Sequence, residues 1–174
     1  MILIGIDTGV KTGFAHSVNG QFVELSTQTI LSAMAKVLGI HNDAKLAGTK
    51  LVVCIEDVRL RKWVDPRLGK ERMRGIGSVE RDCSIWQEFC EHHGICYLLV
   101  PPKDIQTKTS QKLFTEITGY VYEVSEDTRD AGMNIYKHYR MFKRGYPLPA
   151  DREPKPFKKA GKPRMPRKKK EAKA

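Results

Sequence analysis

The chain predicts an α/β fold, a mixed five-stranded sheet flanked by helices, with elements in the order βββαβαβα. Three features point there. The N-terminal block is a set of short apolar runs separated by turn residues. From residue 30 onward, helically spaced apolar segments alternate with near-continuous apolar runs, the pattern of helices crossing between buried strands. The length of 174 residues, with 40% apolar, 29% charged and 8% aromatic content, suits one domain with an ordinary core.

Residues 2–7 (ILIGID) form a first strand, and 13–18 a second after the Gly9/Gly13 turn region. Asn19-Gly20 is a two-residue hairpin signal leading into a third strand over 21–29. Residues 30–47 place Ile30, Met34, Val37 and Leu38 at helical spacing, with Gly48 as a stop. Residues 51–55 (LVVCI) are almost continuously apolar, as in a parallel central strand buried on both faces, and end at Glu56. Residues 57–77 are polar, rich in arginine and punctuated by Pro66, Gly69, Gly75 and Gly77, which predicts a long mobile loop of the kind that carries function. An amphipathic helix over 78–93, a strand over 95–100 closed by Pro101-Pro102, a short helix over 110–118 and a connector over 119–124 follow. Residues 126–143 make the last helix, with Ser125 as N-cap and Ala131, Ile135, Tyr139 and Phe142 on one face. There is no internal repeat.

Charge divides the chain unevenly. The formal net charge is +11, of which 11 basic and 3 acidic residues put +8 on residues 151–174. That segment has four prolines and almost no large apolar side chains, so burial cannot offset its ordering entropy. Two regions are therefore expected: a globular domain over 1–146 and a basic, disordered tail over 147–174 suited to holding polyanions by phosphate attraction. No apolar stretch is long enough to span a membrane, and MILIGIDTG lacks the basic and apolar regions of an export signal, so a cytoplasmic location is expected. Cys54, Cys83, Cys90 and Cys96 include no CxxC pair. Their places on apolar strands and a helix face favour buried thiols over a zinc site with His92 and His93.

Four acids stand where chemistry needs them. Asp7 ends the first strand just before Thr8-Gly9, and Glu56 ends the buried strand VVCI. Asp127 and Asp130 share one face of the last helix in its first turn, where the macrodipole also favours them. Converging carboxylates repel, and divalent cations relieve that repulsion. An all-oxygen donor set without His or Cys favours Mg²⁺ or Mn²⁺ over Zn²⁺. Two such ions about 4 Å apart activate water and stabilise a leaving oxygen in phosphodiester hydrolysis. Glu126, Asp57 and Glu123 are adjacent acids able to exchange roles with these four.

Over residues 1–143 the order of elements and the motifs GIDTGVKTG with Asp7, VVCIED with Glu56 and EDTRDAG with Asp127 and Asp130 resemble the ribonuclease H-like superfamily, and within it the RuvC-type Holliday junction resolvases. The resemblance implies a ribonuclease H-like fold and two Mg²⁺ ions held by Asp7, Glu56, Asp127 and Asp130, with Mn²⁺ able to substitute. It further implies a homodimer that cuts four-way DNA junctions by paired symmetric nicks, with no small-molecule cofactor and no membrane partner. The first turn lacks the proline usual after the first acid and is one residue shorter between its glycines, which looks more like the divergent resolvases of phages. The basic tail and the arginine-rich segment are not part of the bacterial pattern.

Resolvases grip junctions with basic residues in two regions, and here these fall on Arg59, Arg61, Lys62, Arg72 and Arg74 after Glu56, and on Lys103, Lys108 and Lys112 in PPKDIQTKTSQK. Trp63 in the polar segment suits DNA or a dimer partner, whereas Tyr97 inside a strand suits the core. The rival readings are another ribonuclease H-like nuclease acting on RNA–DNA hybrids or flaps, and a non-catalytic nucleic-acid-binding protein whose acids only cap turns and helices. An actin-like ATPase would need a second phosphate-binding turn and a longer chain.

Overall fold

The apolar run Ile2–Asp7 forms β1, the strand at the centre of the sheet. The computed structural model describes residues 1–61, 69–106 and 108–143, the side chains of 137–143 excepted. β1 pairs antiparallel with β2 (Thr12–Val18), which pairs antiparallel with β3 (Gln21–Gln28). The turn joining β2 and β3 is the expected Asn19-Gly20 pair, with φ of 51° and 84°. Both residues being left-handed gives the mirror-image turn that matches strand twist. On its other side β1 pairs parallel with β4 (Leu51–Glu56), and β4 pairs parallel with β5 (Tyr97–Val100), giving the order β3-β2-β1-β4-β5. The mixed five-stranded sheet flanked by helices is as the sequence predicts.

Alternation along the strands sends side chains to two separate cores. Ile4, Ile6, Phe14, Val53 and Ile55 pack under α1 (Ile30–Leu46) and α2 (Lys70–His93) with Val37, Trp86 and Cys90. Leu3, Ala15, Val52 and Cys54 pack under α3 (Gln111–Thr118) and α4 (Glu126–Lys143) with Phe114, Ala131 and Ile135. Hydroxyls at the expected starts cap three helices: Thr29 accepts from the Ser32 amide, Ser110 from that of Leu113 and Ser125 from that of Thr128. The four cysteines are free thiols, three of them buried, and burial pushes the Cys54 thiol up to about 12. Among the described residues, no helix is long and apolar enough to cross a membrane.

One expectation is corrected. The stretch 57–77 is not a continuous loop: a 3-10 turn spans Val58–Leu60, and α2 begins at Lys70, so Arg72, Arg74, Gly75 and Gly77 are helical. The apolar stripe Val79, Cys83, Trp86, Cys90 extends one turn further back through Ile76, and tertiary packing of that stripe overrides the low helix propensity of two glycines. Lys62, Trp63 and the tail beyond 146 lie outside the described residues, and so do the side chains of Tyr139 and Phe142.

α4 lies directly on the sheet. A β-carbon at Gly5 would sit 2.0 Å from the Ala131 carbonyl oxygen, and one at Gly13 would sit 2.0 Å from that of Asp127. Backbone meets backbone at both points, so neither position tolerates a side chain. Gly13→Ala is expected to destabilise the fold by about 2–3 kcal/mol by forcing α4 off the sheet. Gly39→Ala, on the exposed face of α1 with nothing within 4 Å of the new methyl, is expected to stabilise it by up to about 1 kcal/mol. Urea unfolding midpoints of the two variants check both signs.

Candidate active site

Register places the first two acids. Ile6 is opposite Ile55 in the parallel pair, so Asp7 and Glu56 end neighbouring strands side by side. They share the parity of Leu3, Gly5, Val52 and Cys54, so both belong to the α4 side of the sheet. Carboxyl ends of parallel strands are where open α/β sheets place ligands. α4 then brings Asp130, buried at 8% exposure, to the same end. Asp7, Glu56 and Asp130 line one cavity of about 360 Å³ together with Thr8, Val58, Arg61, Gly75, Ile76, Val79, Pro102 and Lys108.

Burial and neighbouring acids raise the proton affinity of Asp7 and Asp130. The Asp7 carboxyl is pushed up to about 9, first by burial, then by Glu56 through charge and a direct hydrogen bond, then by Asp130 and most weakly by Asp127. Asp130 is pushed up to about 6, mainly by burial, with Glu56 and Glu126 adding to it. The Lys108 amide and the Arg129 guanidinium oppose that rise. Asp127, on the first turn of α4, is half-buried and acts on Asp7 from outside the cavity lining. Among the described residues no three Asp, Glu, His or Cys side chains close into a ready-made cage for an ion. Their donor chemistry fits Mg²⁺ or Mn²⁺: oxygen atoms only, surplus negative charge, and a Glu56–Asp7 pair that otherwise retains a proton.

The neighbouring acids sort themselves by contact. Asp57 is one residue past Glu56 and faces the opposite way. Both its oxygens are taken by Arg59, Nε to Oδ1 and Nη2 to Oδ2 at 2.8 Å each, and it caps the Arg59 amide at 3.0 Å. Arg59, which the sequence reading groups with the DNA contacts, directs its remaining donors to Ser84 Oγ at 3.0 Å and Gln87 Oε1 at 2.8 Å on α2, so the guanidinium is engaged within the fold. Glu126 and Glu123 are exposed outside the cavity lining. Of the other basic residues, Arg61 and Lys108 are on the cavity itself. Arg72 and Arg74 are exposed on the first turns of α2, Lys103 on the 3-10 turn Pro102–Asp104 and Lys112 at the start of α3. Tyr97 packs at the edge of a core and donates to Glu91 Oε1 at 2.6 Å.

Sequence reading missed several parts of this site. Thr8 and Cys83, both buried, contact each other at 3.2 Å and donate to the Glu56 carbonyl at 3.3 and 3.4 Å, fixing the strand end beneath the acid. Gly75 and Ile76, which wall the cavity with Val79, belong to the helical turn read as loop. The one signal for it was Ile76 in phase with Val79 and Cys83.

The raised acids predict how stability depends on pH. Asp7 binds its proton more tightly in the folded chain than in the unfolded one, so the stability it contributes is present at low pH and lost as pH rises toward about 9. Thermal unfolding in EDTA should show the melting temperature falling between about pH 5 and pH 9. Asp7→Asn should flatten that slope and raise metal-free stability at pH 8 by about 1–3 kcal/mol. Added Mg²⁺ should raise the melting temperature of the unsubstituted chain more than that of Asp7→Asn.

No family model matches the chain, and no curated protein matches it in sequence. Its fold is similar to two solved structures of Thermus thermophilus RuvC. The one in complex with a Holliday junction substrate is 12% identical, with a TM-score of 0.52 over 83% of this chain and 96% of that one. The second is 11% identical, with a TM-score of 0.50 over 83% and 97%. The sheet order, the flanking helices and these neighbours together give the chain a RuvC-like, ribonuclease H-like fold.

Proposed function

We propose that the chain is a Mg²⁺-dependent, structure-selective endonuclease that resolves four-way DNA junctions by paired symmetric nicks, acting as a homodimer on intracellular DNA. The observation that carries this reading is the side-by-side placement of Asp7 and Glu56 at the carboxyl ends of adjacent parallel strands, in a cavity that Asp130 also lines. The RuvC-like fold supports it, and the divergent first turn suits a phage-like form.

Asp7, Glu56 and Asp130, with Asp127 on the flank, are the groups to hold two ions, which when bound supply an activated water and a stabilised leaving oxygen. The chain's own contribution is positional. Burial of the acids between β1, β4 and α4 keeps them from spreading into solvent. Arg61 and Lys108 on the cavity meet the phosphate that must approach these acids, and Arg72, Arg74, Lys103 and Lys112 extend the cationic surface for flanking backbone. Junctions are read by shape and phosphate, so binding should weaken steeply with salt.

The test is cleavage of a mobile four-way junction by the unsubstituted chain and by Asp7→Asn, in Mg²⁺ and in EDTA, with both cut positions mapped. Paired symmetric nicks in Mg²⁺ alone are expected, with Asp7→Asn slower by about 10³-fold or more while junction binding survives. Cutting confined to RNA–DNA hybrids, flaps or forks in a parallel panel would replace the junction reading with another ribonuclease H-like nuclease. Junction binding with no cutting under any divalent ion would leave a DNA-binding protein.

A further inference from the structure

Lys108 is held in an unusual backbone conformation, and two consecutive residues of α4 hold it there. Its φ is +55°, a left-handed value that disfavours any residue with a β-carbon and persists only where surroundings enforce it. Its amide donates to Asp130 Oδ1 at 2.9 Å. One residue on, the Thr109 carbonyl accepts from Arg129 Nε at 2.7 Å, while Arg129 Nη1 donates to the Val124 carbonyl. Arg129 thus spends its fork on two main-chain carbonyls from different segments and is half-buried in doing so. Lys108, an exposed residue, meanwhile lines the acid cavity together with Asp7, Glu56 and Asp130.

We propose that Arg129 is a positioning residue: with Asp130 Oδ1 it clamps the Lys108–Thr109 backbone so that the Lys108 ammonium is presented to a DNA phosphate at the acid cavity. This rests on the nuclease reading for its ligand, and on the geometry alone for the clamp. The same α4 turn then supplies a cavity acid through Asp130 and aims the cavity cation through Arg129. The acid and cation cannot drift apart independently. A merely structural Arg129 would pin Thr109 and Val124 without acting through Lys108.

The experiment compares the full chain with Arg129→Gln, Lys108→Ala and the double variant. The readouts are hydrogen exchange at individual amides, the melting temperature, and four-way junction affinity measured in Ca²⁺ at two salt concentrations. Arg129→Gln should speed exchange of the Lys108 amide by about tenfold or more without changing exchange in β1 and β4. It should weaken junction binding to about the same extent as Lys108→Ala, roughly fivefold, and the double variant should be no weaker than the worse single one. Unchanged Lys108 exchange, or losses that multiply in the double variant, would overturn the clamp while leaving the nuclease reading intact. A chain that neither binds nor cuts junctions would overturn the nuclease reading, and the exchange comparison would still decide the clamp. Should Arg129→Gln not fold, Arg129→Lys, which keeps the charge but reaches only one of the two carbonyls, is expected to show the same direction at smaller size.

Discussion

Direct contact between the backbone of α4 and the backbone of β1 and β2 is the constraint on which the site depends. Helices ordinarily pack on sheets through the side chains of their apolar stripe. Here Gly5 and Gly13 leave nothing between the sheet and the carbonyls of Ala131 and Asp127. The residues that follow this contact along the helix, Asp127, Asp130, Ala131 and Asn134, recur at three-to-four-residue spacing on one face. Ala131 is fully buried, and Asn134 Nδ2 donates to the Ile6 carbonyl at 2.9 Å, bolting the helix to the strand that ends in Asp7. The face that packs is therefore also the face that carries the acids, so the position of Asp130 relative to Asp7 is set by core packing.

Strand alternation then decides which acids share the cavity. Glu56 and Asp57 are neighbours in sequence, yet they serve opposite layers. Glu56 lies on the α4 side with Asp7, in the cavity that Arg61 and Lys108 also line. Asp57 lies on the α2 side, where Arg59 neutralises it and carries the connection onward to Ser84 and Gln87. One carboxylate faces the cavity and the next is a tether for α2. Burying acids beside one another costs folding stability, and burial, with the neighbouring acids second, is what raises the proton affinities of Asp7 and Asp130.

Much of this was legible in the sequence because it is local. β1, β2, α1 and the later turns of α2 follow from apolar period and turn chemistry, and the cap at Ser125 from residue type next to an apolar stripe. Asp7 and Glu56 could be singled out because each ends an apolar run. What could not be read was set by contacts distant in sequence. Gly5 and Gly13 looked like an ordinary strand residue and a turn residue, since nothing local shows that a helix more than a hundred residues later will rest on them. Gly75 and Gly77 looked like loop residues, because α2 packs on elements elsewhere in the sequence, α1, β4 and the turn after it. Arg59 looked like a free cation because Asp57, two residues away, was itself an acid able to exchange roles with the candidate ligands.

The fate of the arginines carries the more general point. Charge counted along a chain says how much phosphate a surface could attract, but not which cations remain to do so. Arg59 and Arg129 are both absorbed into the fold, the first by a carboxylate and two polar side chains, the second by two main-chain carbonyls. Arg61 and Lys108 remain on the cavity. The absorbed pair flanks the remaining pair in sequence or in space, Arg59 two residues before Arg61 and Arg129 bonded next to Lys108. A guanidinium suits the internal role because its planar fork satisfies two acceptors at fixed angles and stays charged at any working pH. Lysine carries a compact charge on a flexible stem. On this division of labour Arg59 and Arg129 hold the frame around the acids, and Arg61 and Lys108 are the cations left at the cavity.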